Sequence, residues 1–334
     1  MALEAPFVWP GGKSTVAAEV WSRFGDADCY VEPFFGTGAV LLNRPTPFHG
    51  REIVNDFDDM ICNFWRSVGR DPEAVAKWAD CPVYESEKHA RHIWLVKRKR
   101  TIREKLEGTV DYYDARAAGY WVWLLSVWIG SGCCSSTGAW AIEKVKGVDR
   151  LRKQPRGTQD GEPRISRQMP NLNSQGIRRN NSGFAAQEWL QQLSRRLRDV
   201  TVCCGDWSRV CGGKKGSSLG SFTRGGSICG IFLDPPYSDE ANRCVVYAHD
   251  NLDVAHAVRK WAIEHGDDPQ LRIALCGYDG EHKMPKSWSM YKWKATGGYS
   301  AFSDDQQSVA KQNAHRERIW FSPHCQVSSR PTFF

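Results

Sequence analysis

The chain has 334 residues, 41% hydrophobic and 25% charged, with 45 Lys and Arg against 38 Asp and Glu for a formal net charge of +7. This is ordinary globular composition of about two domains' length, and it excludes a disordered tail, a collagenous chain and a coiled-coil rod. Met1 to Ser14 lacks the basic start and apolar core of a secretory signal. The most apolar stretch, Gly119 to Gly130, falls short of the roughly 18 residues a membrane span needs.

The charge is unevenly placed. From Lys88 to Arg198 the chain holds 22 Lys and Arg against 9 Asp and Glu, and the remainder holds 23 against 29. A basic segment of +13 thus sits inside a frame of −6, which points to a polyanionic partner because Lys and Arg displace counterions from phosphates. The twelve cysteines are scattered, twice as adjacent pairs (Cys133-Cys134 and Cys203-Cys204), with no Cys-x-x-Cys. Reduced thiols in a cytoplasmic protein are expected.

In chain order, Trp9-Pro-Gly11-Gly12-Lys13-Ser14 comes first. It is not a phosphate-binding loop, because the glycine that G-x-x-x-x-G-K-[ST] requires is Phe7. Cys29 to Pro33 reads as a strand, Gly36-Thr-Gly38 as a tight turn, and Ala39 to Leu42 as a helix start. Glu52 to Asn55 is a second strand, followed by a helix from about Asp58 to Val68. This βαβ unit predicts a parallel α/β sheet. The dinucleotide pattern G-x-G-x-x-G fails at Leu41, so a nicotinamide cofactor is disfavoured. Asp56 ends the second strand twenty residues after Gly36, where an acid accepts bonds from ribose hydroxyls in Rossmann-type sites. Turn and acid together point to an adenosine-containing ligand.

The alternating pattern breaks near Arg70 and resumes near Val200, with helical patterns at 87–107 and 115–129 and a long polar, Arg-rich stretch at 147–181. His89-x-x-His92 could present two metal ligands, but no second pair accompanies it and no metal is expected. The basic runs Lys97, Arg98, Lys99, Arg100 and Arg164, Arg167, Arg178, Arg179 are candidate phosphate contacts. Asn171, Asn173, Gln175, Asn180 and Asn181 are among many candidates for base readout. Strand-like runs follow at 200–204, 228–233, 271–276, 290–293 and 318–321, with a helix from Asp253 to His265 and an aperiodic Gly/Ser/Lys loop at 212–226. Asp234-Pro235-Pro236-Tyr237 closes the strand at 228–233. Two prolines remove two N–H donors and leave carbonyls that only accept. With Asp234 they form a rigid acceptor cluster beside an aromatic face, suited to a planar exocyclic amine. Tyr278 and His282, after the next strand, are weaker candidates for lining the same pocket. Gly297 to Ser300 and the polar run Ser303 to Arg318 carry no assigned chemistry.

Trp9-Pro-Gly-Gly-Lys13, Glu32-Pro-Phe-Phe-Gly-Thr-Gly38, Asp56 and Asp234-Pro-Pro-Tyr237, in that order, resemble the Dam-like class of DNA N6-adenine methyltransferases. The resemblance covers about residues 1–70 and 200–322. It implies an α/β fold, a Rossmann-like methyltransferase sheet with helices on both faces, interrupted by a mainly helical DNA-recognition domain. The catalytic domain would be 1–70 and 200–334, and the basic insert 71–199. By resemblance the cofactor is S-adenosylmethionine, held by Trp9, Gly11, Gly12, Lys13, Glu32, Pro33, Phe34, Gly36, Gly38, Asp56 and Asp234. Asp234, Pro235, Pro236 and Tyr237 would be catalytic. The implied partner is double-stranded DNA, with neither a membrane nor an obligate protein partner, in the cytoplasm of a bacterial cell or its phage-infected equivalent. The Asn-Gly loop often found after the family's core helix is replaced here by Gly130-Ser-Gly-Cys-Cys134, so target-site rules do not carry over. The acceptor cluster also suits cytosine N4 or an adenine in RNA. A non-catalytic DNA-binding protein on a degenerate transferase frame is the reading from outside enzymology.

Overall fold

The computed structural model describes residues 3–7, 11–128, 133–134, 142–145, 147–151, 186–212, 223–237, 253–294 and 315–327. They form two compact units, one of residues 1–4, 9–57 and 199–334 and one of 5–8 and 58–198.

The first unit is built on a seven-stranded sheet of β1 (Cys29–Glu32), β2 (Glu52–Asp56), β5 (Val200–Cys204), β6 (Cys229–Leu233), β7 (Leu271–Tyr278), β8 (Ser289–Lys292) and β9 (Glu317–Phe321). Their spatial order is β5-β2-β1-β6-β7-β9-β8. The first five are parallel, and β9 runs antiparallel to both β7 and β8. β1, β6 and nearly all of β7 are buried along their length, as central parallel strands covered on both faces must be. The edge strand β5 is half exposed. Because side chains alternate across a strand, Val31, Ile53, Ile231, Leu233, Ile273 and Leu275 share one face with α8 (Ser208–Cys211) and α9 (Asp253–His265). Tyr30 and Gly230 belong to the other face, against α1 (Ala17–Phe24). Trp21 lies 4.8 Å from the Tyr30 ring, and a Cβ on Gly230 would come within 2.9 Å of Phe24. The expected strands and two-sided cover are thus present. After β1 the chain turns through α2 (Ala39–Leu42) into β2. There Arg44 donates to Glu52 Oε1 at 2.9 Å and to the Ala27 carbonyl at 2.8 Å, with its guanidinium against Trp21 and Phe48.

The second unit contains α3 (Asp59–Arg70), α4 (Pro72–Ala79), α5 (Glu85–Gly108), α6 (Ala115–Val127), α7 (Ala186–Leu197) and the hairpin β3 (Ile142–Val145) and β4 (Val148–Leu151). Local chemistry sets the helix starts. Asp58 accepts from Met60 N at 2.7 Å, Asp71 from Ala74 N at 3.1 Å with Pro72 at the first helical position, and Asp114 from Ala117 N at 2.8 Å. Helices α1, α4, α7 and α8 and the hairpin are additions to the elements expected from sequence. The Asp71-Pro72 start carries α4 and the apolar spacing Ala186, Trp189, Leu190, Leu193, Leu197 carries α7, whereas α8 spans one turn and shows no period. Gly119 on α6 allows close approach of α4, since a Cβ there would lie 2.8 Å from the Val75 carbonyl. Phe7, Phe64, Trp65 and Trp121 form an aromatic cluster. His92 is buried, stacks on Trp128 and accepts from the Cys134 N–H through Nδ1. Among the described residues every cysteine is a free thiol, and no helix is long and apolar enough to cross a membrane.

The Arg44–Glu52 pair is buried on both sides, so removing one partner strands the other charge. Arg44→Met is expected to cost about 3–5 kcal/mol in urea unfolding, and adding Glu52→Met should recover most of it.

Candidate active site at one edge of the sheet

The carboxyl ends of β1, β2, β6 and β7 open on one edge of the sheet, which in open α/β folds is the ligand edge. The strand order reverses between β1 and β6. Since β9 is antiparallel, its first residue, Glu317, lies at that same edge, opposite Tyr278. Trp293 follows β8 there, its N–H directed at the Glu317 carbonyl.

The loop before α1 contributes Lys13, whose carbonyl accepts the first helical N–H groups. Its side chain is 5% exposed, and Nζ lies 2.8 Å from Asp234 Oδ2 and 2.6 Å from the Gly11 carbonyl, to which it donates. The ammonium also sits over the rings of Tyr237 and Trp293, at 5.6 and 5.8 Å. Tyr237 donates its hydroxyl to Glu317 Oε2 at 2.7 Å and lies 3.4 Å from Asp234 Oδ1. Its ring packs edge-on against Tyr278 at 4.5 Å. Burial works against the Lys13 charge, but Asp234 and Glu317 outweigh it and hold the amine protonated well above its ordinary range. Burial, followed by Glu317 and Asp234, pushes the Tyr237 phenol up. Burial drives Glu317 upward as well, with Lys13 and the Tyr237 hydrogen bond opposing. Tyr278 is pushed up to about 12, mainly by burial.

Beside this cluster, Glu32 to Gly38 form a loop with positive φ at Gly36 (46°) and Gly38 (68°), a backbone region glycine enters without steric cost. Asp56 braces it, Oδ2 accepting from Gly36 N at 2.8 Å. Asn55 ties the same loop to the end of β5 by donating to the Pro33 and Gly205 carbonyls at 3.0 and 2.9 Å. Phe34 stacks with Trp207 at 6.4 Å. Glu32 is buried under the loop and accepts from the Tyr30 hydroxyl at 2.9 Å. Burial raises its pKa well above the carboxylate range, with Asp234 and Asp56 adding to it and the Tyr30 bond opposing.

The sequence-derived residues Gly11, Lys13, Glu32 to Gly38, Asp56 and Asp234 to Tyr237 therefore meet at one edge. Trp9 lies outside the described residues, as do Arg164, Arg167, Arg178, Arg179 and the Asn/Gln candidates at 171–181. His282 is buried, its Nε2 on the Cys276 carbonyl and its ring against Trp320. Sequence reasoning missed Glu317, Trp293 and Trp207. Glu317 falls in the polar run Ser303 to Arg318, although a lone acid directly before an apolar strand is a usable signal. Among the described residues no cluster of His, Cys, Asp and Glu could hold a metal ion.

A seven-stranded, mostly parallel sheet of this order is consistent with a methyltransferase fold. Residues 9–118 match the family model of the D12 class N6 adenine-specific DNA methyltransferases. Over that span the chain is similar to enzymes that methylate adenine in DNA at N6 with S-adenosylmethionine. Among the acceptors left open by Asp-Pro-Pro-Tyr, this selects adenine in DNA. The matched span includes the Lys13, Glu32–Gly38 and Asp56 motifs, and Asp234–Tyr237 lies beyond it. No curated protein matches the chain.

A buried carboxyl with a raised pKa binds its proton more tightly folded than unfolded, so stability falls as pH rises from the ordinary carboxylate range toward the folded value. Glu32→Gln keeps an acceptor for Tyr30 and removes the buried charge. Its melting temperature should exceed wild type at alkaline pH by the equivalent of roughly 1 kcal/mol or more, with the gap closing in acid.

Proposed function

We propose that the Lys13–Asp234–Tyr237 cluster and the Asp56-braced loop are the two halves of one transfer site, acting on an adenine swung out of duplex DNA. The observation that carries this reading is their convergence on the ligand edge, where Lys13 and Asp234 pair at 2.8 Å. The residues present fit S-adenosylmethionine. Lys13 offers a cation for a carboxylate, Asp56 an acceptor for ribose hydroxyls, and the glycines at 36 and 38 a close backbone approach. The buried Oδ1 of Asn55 has no partner among the described residues and adds an acceptor where the loops converge. A carboxylate accepts several hydrogen bonds, so bracing Gly36 is compatible with holding a ribose. When bound, the cofactor supplies a methyl made electrophilic by its sulfonium.

The adenine N6 lone pair is delocalised into the ring and is a poor nucleophile. Asp234 and the Pro235 carbonyl accept its N–H bonds and favour the tetrahedral, electron-rich nitrogen that forms during transfer, while Tyr237 receives the ring by stacking. Pro236 keeps the turn rigid. Gly11, Gly12, Glu32, Pro33, Phe34 and the unplaced Trp9 complete the cofactor side in this reading. The enzyme is proposed to work on double-stranded DNA in the cytoplasm of a bacterial cell, or of one infected by a phage that encodes it.

The basic unit of residues 71–199 is proposed as the DNA-recognition domain. Within its first run, Lys97 pairs with Asp149, Lys99 lies 3.9 Å from Asp58 and Arg100 2.8 Å from Glu104. Those three reach a phosphate by exchanging a carboxylate for it. Arg98 instead stacks on Trp94 at 4.2 Å. Arg116 is held by the Tyr120 hydroxyl at 2.9 Å, over the rings of Trp78 and Trp94. Both are exposed, and neither has a carboxylate partner among the described residues. They are cations already oriented for phosphate, which supports a larger share of the backbone contact for Arg98 and Arg116.

Incubation with methyl-labelled cofactor and DNA should yield N6-methyladenine by nucleoside mass spectrometry. Asp234→Asn should lower the rate about a hundredfold or more. Product only at cytosine N4 would refute the reading. Arg98→Ala and Arg116→Ala should each reduce the salt slope of DNA binding by about 1, whereas Arg100→Ala should change it less.

A further inference from the structure

Glu317 has no part in the transfer described above, yet it is a buried acid in direct contact with Tyr237 of that site. The residue is 3% exposed and touches neither Lys13 nor Asp234 by a hydrogen bond. Among the described residues its one side-chain hydrogen bond, at 2.7 Å, is from the Tyr237 hydroxyl. That hydroxyl carries a single proton. With Glu317 Oε2 at 2.7 Å and Asp234 Oδ1 at 3.4 Å, the proton goes to Glu317, because hydrogen bonds weaken steeply with distance. The phenol oxygen is left to accept from the Asp234 side. A proton arriving on Asp234 Oδ1 therefore meets an acceptor whose own proton is already aligned on a second carboxylate.

We propose that Glu317 is the terminal proton acceptor of the methyl transfer, reached from Asp234 through the Tyr237 hydroxyl. This rests on the adenine-N6 reading of the site. The balance is simple. The N6 lone pair forms the new bond to the methyl carbon, and the carbon–sulfur pair stays on the leaving sulfur. The nitrogen, now cationic, gives one N–H proton to Asp234. Asp234 passes a proton to the Tyr237 oxygen as the tyrosine releases its own to Glu317 Oε2. Asp234 ends as a carboxylate, Tyr237 as a neutral phenol and Glu317 as a carboxylic acid that later loses its proton to solvent.

The electrostatics favour this direction. A proton left on Asp234 would strip the buried Lys13 ammonium of its ion-pair partner, and an unpaired buried charge is costly. Moving the proton on to Glu317 restores the Lys13–Asp234 pair. The charged and titratable groups around Glu317 are Lys13, Asp234 and Tyr237, Tyr278 and Cys276 of β7, and Glu281 in the turn that follows. Burial and the negative charges of Asp234 and Glu281 favour a protonated Glu317, while Lys13 and the Tyr237 hydrogen bond oppose. Glu317 acts through Tyr237 and does not touch the base, so it is a positioning and relay residue.

Glu317→Gln keeps an oxygen to accept the Tyr237 hydrogen bond but cannot take a proton. Single-turnover methylation with cofactor and a DNA duplex prebound should slow about tenfold or more, with both dissociation constants within about twofold of wild type. The wild-type rate should rise with pH as Glu317 ionises, and that acid limb should vanish in Glu317→Gln and persist in Glu317→Asp. Tyr237→Phe keeps the ring and breaks the relay, so the double variant should be no slower than the slower single. If Glu317→Gln folds poorly, the acid limb of Glu317→Asp carries the test, and its loss there would count against the relay. A Glu317→Gln enzyme at the wild-type rate, or a slow one with the acid limb intact, overturns the proposal and leaves Glu317 as a structural tether. If the wild-type enzyme makes no N6-methyladenine, the reading of the base fails instead, so the two failures are distinguishable.

Discussion

One ammonium stands beside two buried or part-buried acids at the ligand edge of the sheet: Lys13 faces Asp234 directly, with Glu317 close behind. In water such a group would be unremarkable. Inside the protein the desolvation of Lys13 is tolerable only because Asp234 is 2.8 Å away, and Asp234 is fixed because two prolines follow it at the end of β6. The Tyr237 and Trp293 rings lie against the same ammonium, and Tyr278 packs edge-on against Tyr237. Local charge balance thus depends on elements from the two ends of the chain arriving at one place.

Sheet topology makes that meeting possible. The reversal of strand order between β1 and β6 opens the edge, and parallel strands deliver Glu32, Asp56, Asp234 and Tyr278 at their carboxyl ends. A further parallel strand in place of β9 would send Glu317 to the opposite edge. Because β9 runs the other way, its first residue pairs with the last of β7, and a carboxylate enters the site from a strand with no motif of its own. The same principle governs Asp56, which reaches back across the strand ends to hold Gly36 and so joins two motifs that lie twenty residues apart.

In the second unit, counted charge and available charge are different quantities. The excess of Lys and Arg is large, yet Lys97, Lys99, Arg100 and Arg103 are engaged by carboxylates of the same unit. Arg91 is buried between Glu87 and the rings of Tyr120 and Trp123. Arg98 and Arg116 are oriented by aromatic faces instead, and such contacts leave the cation's outward side chemically intact. A basic run is therefore a weak guide to which of its members meet a polyanion.

The sequence by itself determined the strands of the sheet and the motifs that meet at its ligand edge. β1, β2, β6 and β7 announce themselves as short apolar runs, and Lys13, Glu32, Asp56 and Asp234 lie in motifs whose glycines and prolines fix the backbone locally. Such features are local in the chain, so they survive without knowledge of what packs on them. Glu317, Trp207 and Trp293 are different, since each is an ordinary residue in an ordinary run and matters only through a partner far away in sequence. Arg100–Glu104 and Arg98–Trp94 are one helical turn apart, but the Lys97–Asp149 and Lys99–Asp58 pairs and the stacking of Arg116 on Trp78 and Trp94 join residues tens of positions distant. The tertiary structure decided these matters because burial and pairing are properties of neighbours in space, and no window of sequence contains them.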